Sequence, residues 1–442
     1  MTYRNFLPGL TRSAKLNKKL LTLSLGLCLL PLPCWAALAN HGEVHAPMPA
    51  ATVSATSAPA APPSEPEVQA AKARIKDAFH DSHHKIKRLP SRQKYGARPE
   101  QDVPARECIF AEDLPLGKSQ VHASTLAALD DGTLVCAAFC GSRESHKDVR
   151  IVVSRKAPGG SWSTPRQVSG NDGRPHWNPV LYELTPDILT LMYKEGVSPG
   201  KWTTLVQDSA DGGVTWGAPH KLVSDDKNFG RGPSKNKLLT LENGRILAPG
   251  SCEKGSWRAY VDYSDDQSKT WTKTAFIKAS TLPDTGLPKR GVIQPSLWQD
   301  PFSDQVSMLL RSSEGHIFRS DSKDNGRTWT KAYPTDLPNN NSGLDLVQDP
   351  DNGILYLVCN PIVDVVIGTK RSPLSLLYSR NEGTSWFKMC DLETGPREFS
   401  YPAVIMQDGS LVVSYTYKRA NIAVRTFTPS QLAKLRFNAR PM

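Results

Sequence analysis

The residues best suited to do chemistry fall at a few separated points in the chain. Arg311 closes the run Gln305–Leu310, and Arg371 stands just ahead of Pro373–Ser379. A guanidinium is a rigid fork that donates two parallel hydrogen bonds, so a convergent pair suits a carboxylate. In an empty pocket two such cations repel, and an anion relieves them. The segment Gly141-Ser142-Arg143-Glu144-Ser145-His146-Lys147-Asp148 sets another Arg five residues before an Asp. Tyr401, in Phe399-Ser400-Tyr401-Pro402, offers a phenol, and His122, in Val121-His122-Ala123-Ser124, an imidazole that titrates near neutral pH. Gln294, in Gln294-Pro295-Ser296, offers an amide, and Glu253, in Ser251-Cys252-Glu253, a carboxylate. Singly, an Arg at a strand end is usually a surface ion-pair partner, and a Tyr before Pro usually packs.

Metal chemistry has less support. His80 and His84 have i,i+4 spacing beside His83, but no credible ligand set surrounds them, and the chain holds no C-x-x-C. A solvated polar face is the expectation for these histidines, and neither a metal nor an organic cofactor is expected. Past residue 39 the cysteines are Cys108, Cys136, Cys140, Cys252, Cys359 and Cys390, an even number that permits disulfides or single buried thiols equally.

The elements that must position these groups begin after a long N-terminal preamble. Arg4, Arg12, Lys15, Lys18 and Lys19 precede a mostly apolar run, Leu20–Leu30, and Ala37-Leu38-Ala39 follows. This is the layout of a cleavable secretory signal over 1–39, with cleavage after Ala39 and a secreted or periplasmic product. Without that segment the formal charge falls from +11 to +6, too mild for a dedicated nucleic-acid binder. No apolar run after residue 40 reaches the ~18 residues of a membrane span. Residues 40–64 are rich in Ala, Pro, Ser and Thr and read as a disordered linker. Over 65–106 a short basic segment follows, helical where Val68, Ala71, Ile75 and Phe79 recur at spacings of three and four, and ended by Pro90.

From 107 to 430 the texture is all-β: short Val/Leu/Ile/Thr/Tyr runs alternate with turns such as Asp131-Gly132, Asn243-Gly244 and Asp408-Gly409, leaving 431–442 as a tail. Trp162, Trp216, Trp271, Trp329 and Trp386 recur at intervals of 54, 55, 58 and 57 residues. Each ends a similar octet, complete in Ser209–Trp216 and Ser322–Trp329, with Ser268 in place of Gly before Trp271, Asn381 in place of Asp before Trp386, and a looser copy at Ser154–Trp162. The chemistry is that of a turn: Asp accepts backbone N–H groups, Gly adopts a left-handed conformation, and Trp packs between sheets. A period near 55 residues fits a four-stranded propeller blade, and the segment accommodates about six.

These S-x-D-x-G-x-T-W turns resemble the Asp-boxes of the sialidase (neuraminidase) superfamily, a family of six-bladed β-propellers that also holds members without sialidase activity. The resemblance spans 107–430 and implies fold, since the boxes lie away from substrate. It also implies roles. Arg311 and Arg371 resemble two of the three arginines that hold the sugar carboxylate. Arg143 and Asp148 resemble a substrate-binding Arg and the acid/base Asp, and Tyr401 resembles the nucleophile, the known exception to two-carboxylate glycosidases. Two positions depart from the family: His122 stands for the first arginine, and Gln294 for the Glu that activates the Tyr. Within the superfamily the chain looks like a group of bacterial neuraminidase-like proteins, in which Trp177-Asn178-Pro179, Lys235-Asn236-Lys237 and Asn341-Ser342-Gly343 are also familiar. Asn178 and Asn236 in those loops either read sugar hydroxyls or simply make turns. The expected function is an exported exo-glycosidase for a terminal acidic sugar of a glycan. A hydrolase or lyase for uronic-acid polysaccharides using His122, and a non-catalytic carbohydrate-binding propeller, are the alternatives.

Overall fold

In the computed structural model, residues 103–115, 117–226, 230–280, 290–300, 303–363 and 371–442 are described. The secretory signal, the linker and the helix expected before Pro90 lie outside them. Each apolar run between turn residues becomes a strand, and consecutive strands pair antiparallel into six sheets. Blade 1 comprises Gln120–Ala128, Leu134–Gly141, Arg150–Lys156 and Arg166–Gln167, and blade 2 His176–Thr185, Ile188–Glu195, Thr203–Ser209 and His220–Lys221. Blade 3 runs from Leu239–Thr240 through Ile246–Cys252 and Arg258–Ser264 to Thr272–Lys273; blade 4 holds Val292–Gln299, Val306–Ser312, His316–Ser322 and Tyr333–Pro338. Blade 5 holds Asp345–Gln348, Leu355–Cys359, Leu374–Ser379 and Phe387–Glu393, extended by Arg440–Pro441. Blade 6 holds Phe399–Gln407, Ser410–Tyr417 and Asn421–Phe427, and Glu107–Cys108 from the other end of the domain completes it. Joining the two ends in one sheet closes the circle and removes free edges.

The apolar cores lie between blades. Val135, Phe139 and Val153 of blade 1 pack with Leu181, Leu189 and Tyr193 of blade 2, and Trp298 and Leu309 of blade 4 with Leu355, Leu357 and Trp386 of blade 5. The Trp turns are formed as their chemistry requires. Asp211 accepts the Val214 and Thr215 amides and both the Ser209 and Thr215 hydroxyls, and Gly213 takes φ +84° with Leu189, Trp216 and Val135 packed against it. A helix, Pro429–Phe437, begins with a capping box from Thr428 and Gln431. Among the described residues no helix is long and apolar enough to cross a membrane, and all six cysteines past residue 39 are free thiols.

Polar bolts join every blade to the next around the axis. Thr125 Oγ1 accepts from the Leu181 amide, and Asn178 Nδ2 donates to Ser234 O and Asn236 Nδ2 to Pro295 O. Ser296 Oγ then donates to Asp345, Asp345 accepts the Val404 amide, and the Ala123 amide donates to Thr416 Oγ1 to close the ring. Buried polar groups are stable only when so paired. Four inner strands also break register at the same depth, between His122 and Thr125, Trp177 and Val180, Ile293 and Ser296, and Ser400 and Ala403. Ala123, Asn178, Gln294 and Tyr401 sit in these bulges at φ between +41° and +56°. A bulge re-aims a side chain, and positive φ at a bulky Tyr is a local strain of about 1–3 kcal/mol held by its surroundings.

Candidate active site

The bulge that carries Tyr401 brings its phenol among the residues singled out above. Arg311, 7% exposed, donates from Nη1 to Tyr401 Oη at 2.7 Å and to Gln294 Oε1 at 3.1 Å, and from Nε to Asn341 Oδ1 at 2.9 Å. Its guanidinium lies 5.6 Å from the Trp257 ring centre and 5.7 Å from that of Tyr401. Gln294 Nε2 faces Tyr401 Oη at 3.4 Å and Glu253 Oε1 at 3.1 Å. The carboxylate of Glu253 thus fixes the amide, with its N–H groups toward Glu253 and Tyr401 and its carbonyl toward Arg311. The phenol oxygen meets donors only in this arrangement. Burial pushes the Glu253 carboxyl up, against the opposing pull of Arg311.

Arg371 also approaches the ring, 5.4 Å from its centre. The repulsion expected between the two guanidiniums is relieved by Glu398, which sequence reasoning missed. Glu398 Oε1 accepts from Arg371 Nη1 at 2.7 Å and Ser400 Oγ at 2.6 Å, and Oε2 from Arg419 Nε at 2.7 Å. Burial alone would raise the Glu398 carboxyl; the guanidiniums of Arg371 and Arg419 outweigh it and hold the group well below the usual carboxylate range. Arg371 Nε is buried without a hydrogen-bond partner among the described residues.

His122 lies beneath this network, 1% exposed, its ring 4.3 Å from that of Tyr401. Its Nδ1 is 2.8 Å from Thr416 Oγ1 and its Nε2 is 3.4 Å from Arg419 Nη2. Arg offers only donors, so Nε2 accepts and the proton resides on Nδ1. Burial, reinforced by Arg419, pushes the imidazole well below its ordinary value, so it is neutral. Arg419 therefore brings a guanidinium from the blade 6 hairpin to the side of His122. Its other partner, Glu144 at 2.6 Å, anchors the loop after Gly141. Arg143 and Asp148 stand on that loop, both exposed. Ser142 donates its amide (2.8 Å) and hydroxyl (2.9 Å) to Asp148. Partial burial works against ionisation there, but these bonds prevail and lower the carboxyl.

Asn178 and Asn236 are 5% and 2% exposed, and the bolts described above occupy the amide N–H groups of both. Lys235 is buried beside them, donating to Asn236 Oδ1, Leu344 O and Pro402 O under the Tyr401 ring. Of the missed residues, Glu398 carried a local signal, an acid three positions before Tyr401. Lys235 stood in the Lys235-Asn236-Lys237 motif, of which only Asn236 was singled out, and Arg419 and Trp257 carried none.

A family model described as a BNR repeat-like domain matches residues 132–413. The chain belongs to that family. It is a sialidase-like BNR-repeat propeller, and its likenesses to individual proteins are distant. An exo-alpha-sialidase of Aspergillus fumigatus is 28% identical over 137 residues, covering 28% of this chain and 32% of the fungal protein, so the match spans about a third of that relative's length. Among solved structures, a Hadza microbial sialidase superposes with a TM-score of 0.59 at 16% identity, covering 70% of this chain and 66% of that one. Trypanosoma rangeli sialidase gives 0.58 at 14%, over 77% and 61%. A Dyadobacter fermentans protein of unknown function gives 0.56 at 16%, over 73% of this chain and 99% of that one. At these identities the structures bear on the fold of this BNR-repeat propeller alone.

Proposed function

We propose that this chain is an exported glycoside hydrolase that removes a terminal acidic sugar from a glycan, with Tyr401 as nucleophile. The observation that carries the reading is the seating of the Tyr401 phenol oxygen 2.7 Å from Arg311 Nη1, with Arg371 5.4 Å from the ring centre. Among the described residues the hydrogen-bond partners of Arg311 are neutral, so its charge is open to a sugar carboxylate. Arg371, neutralised by Glu398, orients and adds a second contact. Arg143 and Asp148 supply the rim. Asp148 is ionised in the unliganded protein, which suits base chemistry, and a bound sugar that covers it would favour the protonated acid. Glu253, raised by burial, reaches the phenol only through the Gln294 amide that bonds both, so it would take up the phenol proton in place of Gln294 only once that amide moves aside. Export rests on the N-terminal layout of cations, apolar run and small residues.

The amide that Gln294 presents to Tyr401 favours one competing reading, a propeller that binds acidic glycans without cleaving them. The uronate alternative using His122 is weaker, because that imidazole is buried and both its nitrogens face protein atoms. The test is mass spectrometry of products released from a mixture of sialylated and uronate-containing glycans. Release of a terminal acidic monosaccharide by the native chain, abolished in Tyr401→Phe at unchanged unfolding midpoint, supports hydrolysis. Glycan binding without release supports the binding-only reading, and an unsaturated uronate product supports elimination.

A further inference from the structure

Outside the Tyr401 pocket, one cluster joins a buried imidazole to two carboxylates. His176 opens the inner strand of blade 2 and stands directly opposite Glu195 at the end of the neighbouring strand. Opposite residues of a sheet share a face, and Tyr193, two positions before Glu195, shares it too. Asp172 comes from the preceding loop, where its Oδ1 accepts the Arg174 amide at 3.0 Å. One ligand atom from each of Asp172, His176 and Glu195 lies within 4.8 Å of the others.

Three further observations point to an occupant. His176 Nε2 lies 3.3 Å from both Asp172 oxygens, longer than the ~2.7–2.9 Å of a charged hydrogen bond. That spacing is the edge of a tetrahedron whose metal–ligand bonds are about 2.0–2.2 Å. Its Nδ1 is held at 2.7 Å by Ser169 Oγ, the outer partner that commonly orients a metal-binding imidazole. And Tyr193 is 1% exposed with a hydroxyl that finds no hydrogen-bond partner among the described residues, its ring centre 5.1 Å from that of His176.

We propose that Asp172, His176 and Glu195, with the Tyr193 hydroxyl facing them, form a binding site for a divalent cation of borderline hardness such as zinc. One imidazole with two carboxylates suits zinc or manganese better than calcium or magnesium, which favour all-oxygen sets. Arg174 now occupies Glu195 at 2.8 Å, but its side chain is 64% exposed, and such a surface pair is easily exchanged for a cation. Arg150 is the fixed cation nearby, donating to Asn171 Oδ1 and to the Lys147, Val149 and Arg174 carbonyls. The His176 amide itself donates to Val149 O, next to Asp148. An ion here would therefore clasp the Asp172 loop to blade 2 and steady the loop that bears Asp148.

The test is titration of the untagged, chelator-stripped full chain with zinc, followed by calorimetry and by competition with a chromophoric chelator. One zinc per chain is expected at this site, weakened at least tenfold in Asp172→Asn and Glu195→Gln, with unfolding midpoints in chelator unchanged. Arg174→Ala should tighten binding by about two- to fivefold by freeing Glu195. His80→Gln with His84→Gln should leave this binding intact, which separates it from the N-terminal histidines. Absence of zinc uptake, uptake indifferent to Asp172→Asn and Glu195→Gln, or weaker binding in Arg174→Ala would each overturn the site.

Discussion

Replacing Arg311 by lysine should cost an acidic ligand far more than the same change at Arg371. Arg311 is 7% exposed and directs three hydrogen bonds of 2.7–3.1 Å to neutral groups, Tyr401, Gln294 and Asn341. An ammonium keeps the charge but loses the planar fork, and a hydrogen bond to a charged group contributes about 1.5–3 kcal/mol. Losing the fork and one positioning bond gives about 2–4 kcal/mol, or roughly 30- to 800-fold in Kd. Arg371 already shares its charge with Glu398 at 2.7 Å, so Arg371→Lys should weaken the ligand by about tenfold or less. The assay is calorimetric binding of N-acetylneuraminic acid and glucuronic acid beside their methyl esters. Equal affinity of the native chain for acid and ester, or equal losses at the two arginines, would refute the assignment of the ligand charge to Arg311.

Further consequences are measurable by unfolding. Glu398→Gln leaves the partly buried Arg371 without its carboxylate and Arg419 with Glu144 alone, and should destabilise the chain by about 2–4 kcal/mol at pH 7 in urea titrations. Because the Glu398 carboxyl is lowered by folding, its contribution is full above the unfolded value of about 4.5 and is lost as pH falls further; the variant should lack that acid limb. Asn381→Asp restores the carboxylate of the fifth Trp turn and should raise stability by a few tenths to about 1 kcal/mol, whereas a decrease would argue against charge-assisted bonds to Ser379 and Ser385. Lys194 is pushed down to about 7 by burial, so the unfolded chain binds the extra proton between pH 7 and about 10.4 and native stability should rise across that window. A Lys194→Met variant should lose that rise, and identical pH profiles would contradict the burial argument.

The propeller was legible because its signals are local. The clearest Trp turn, Ser209–Trp216, is one octet whose Asp bonds residues three and four positions on, and its recurrence at a near-constant period reveals the blades. Tyr401, Arg311 and Arg371 were placed by their positions relative to those turns, and the structure gathers them around one phenol. What sequence could not show are contacts between distant elements. Glu398 matters because Arg419, 21 residues away, and Glu144, 275 residues from Arg419, meet at its side. For Asn178 and Asn236 the sequence left sugar contacts and turns equally open, and only the closed circle supplies the next blade's carbonyls as their partners. His176 and Glu195 became neighbours only through strand register.

The central claim is that Tyr401 attacks the anomeric carbon of an acidic sugar, and trapping tests it most directly. A 2,3-difluorinated acidic sugar slows both formation and breakdown of a glycosyl–enzyme bond, so the adduct should accumulate. Peptide mapping after incubation should find the sugar mass on the peptide that contains Tyr401, and Tyr401→Phe should acquire none. Release of sugar from natural glycans without that adduct, or with an adduct on another residue, would contradict the account.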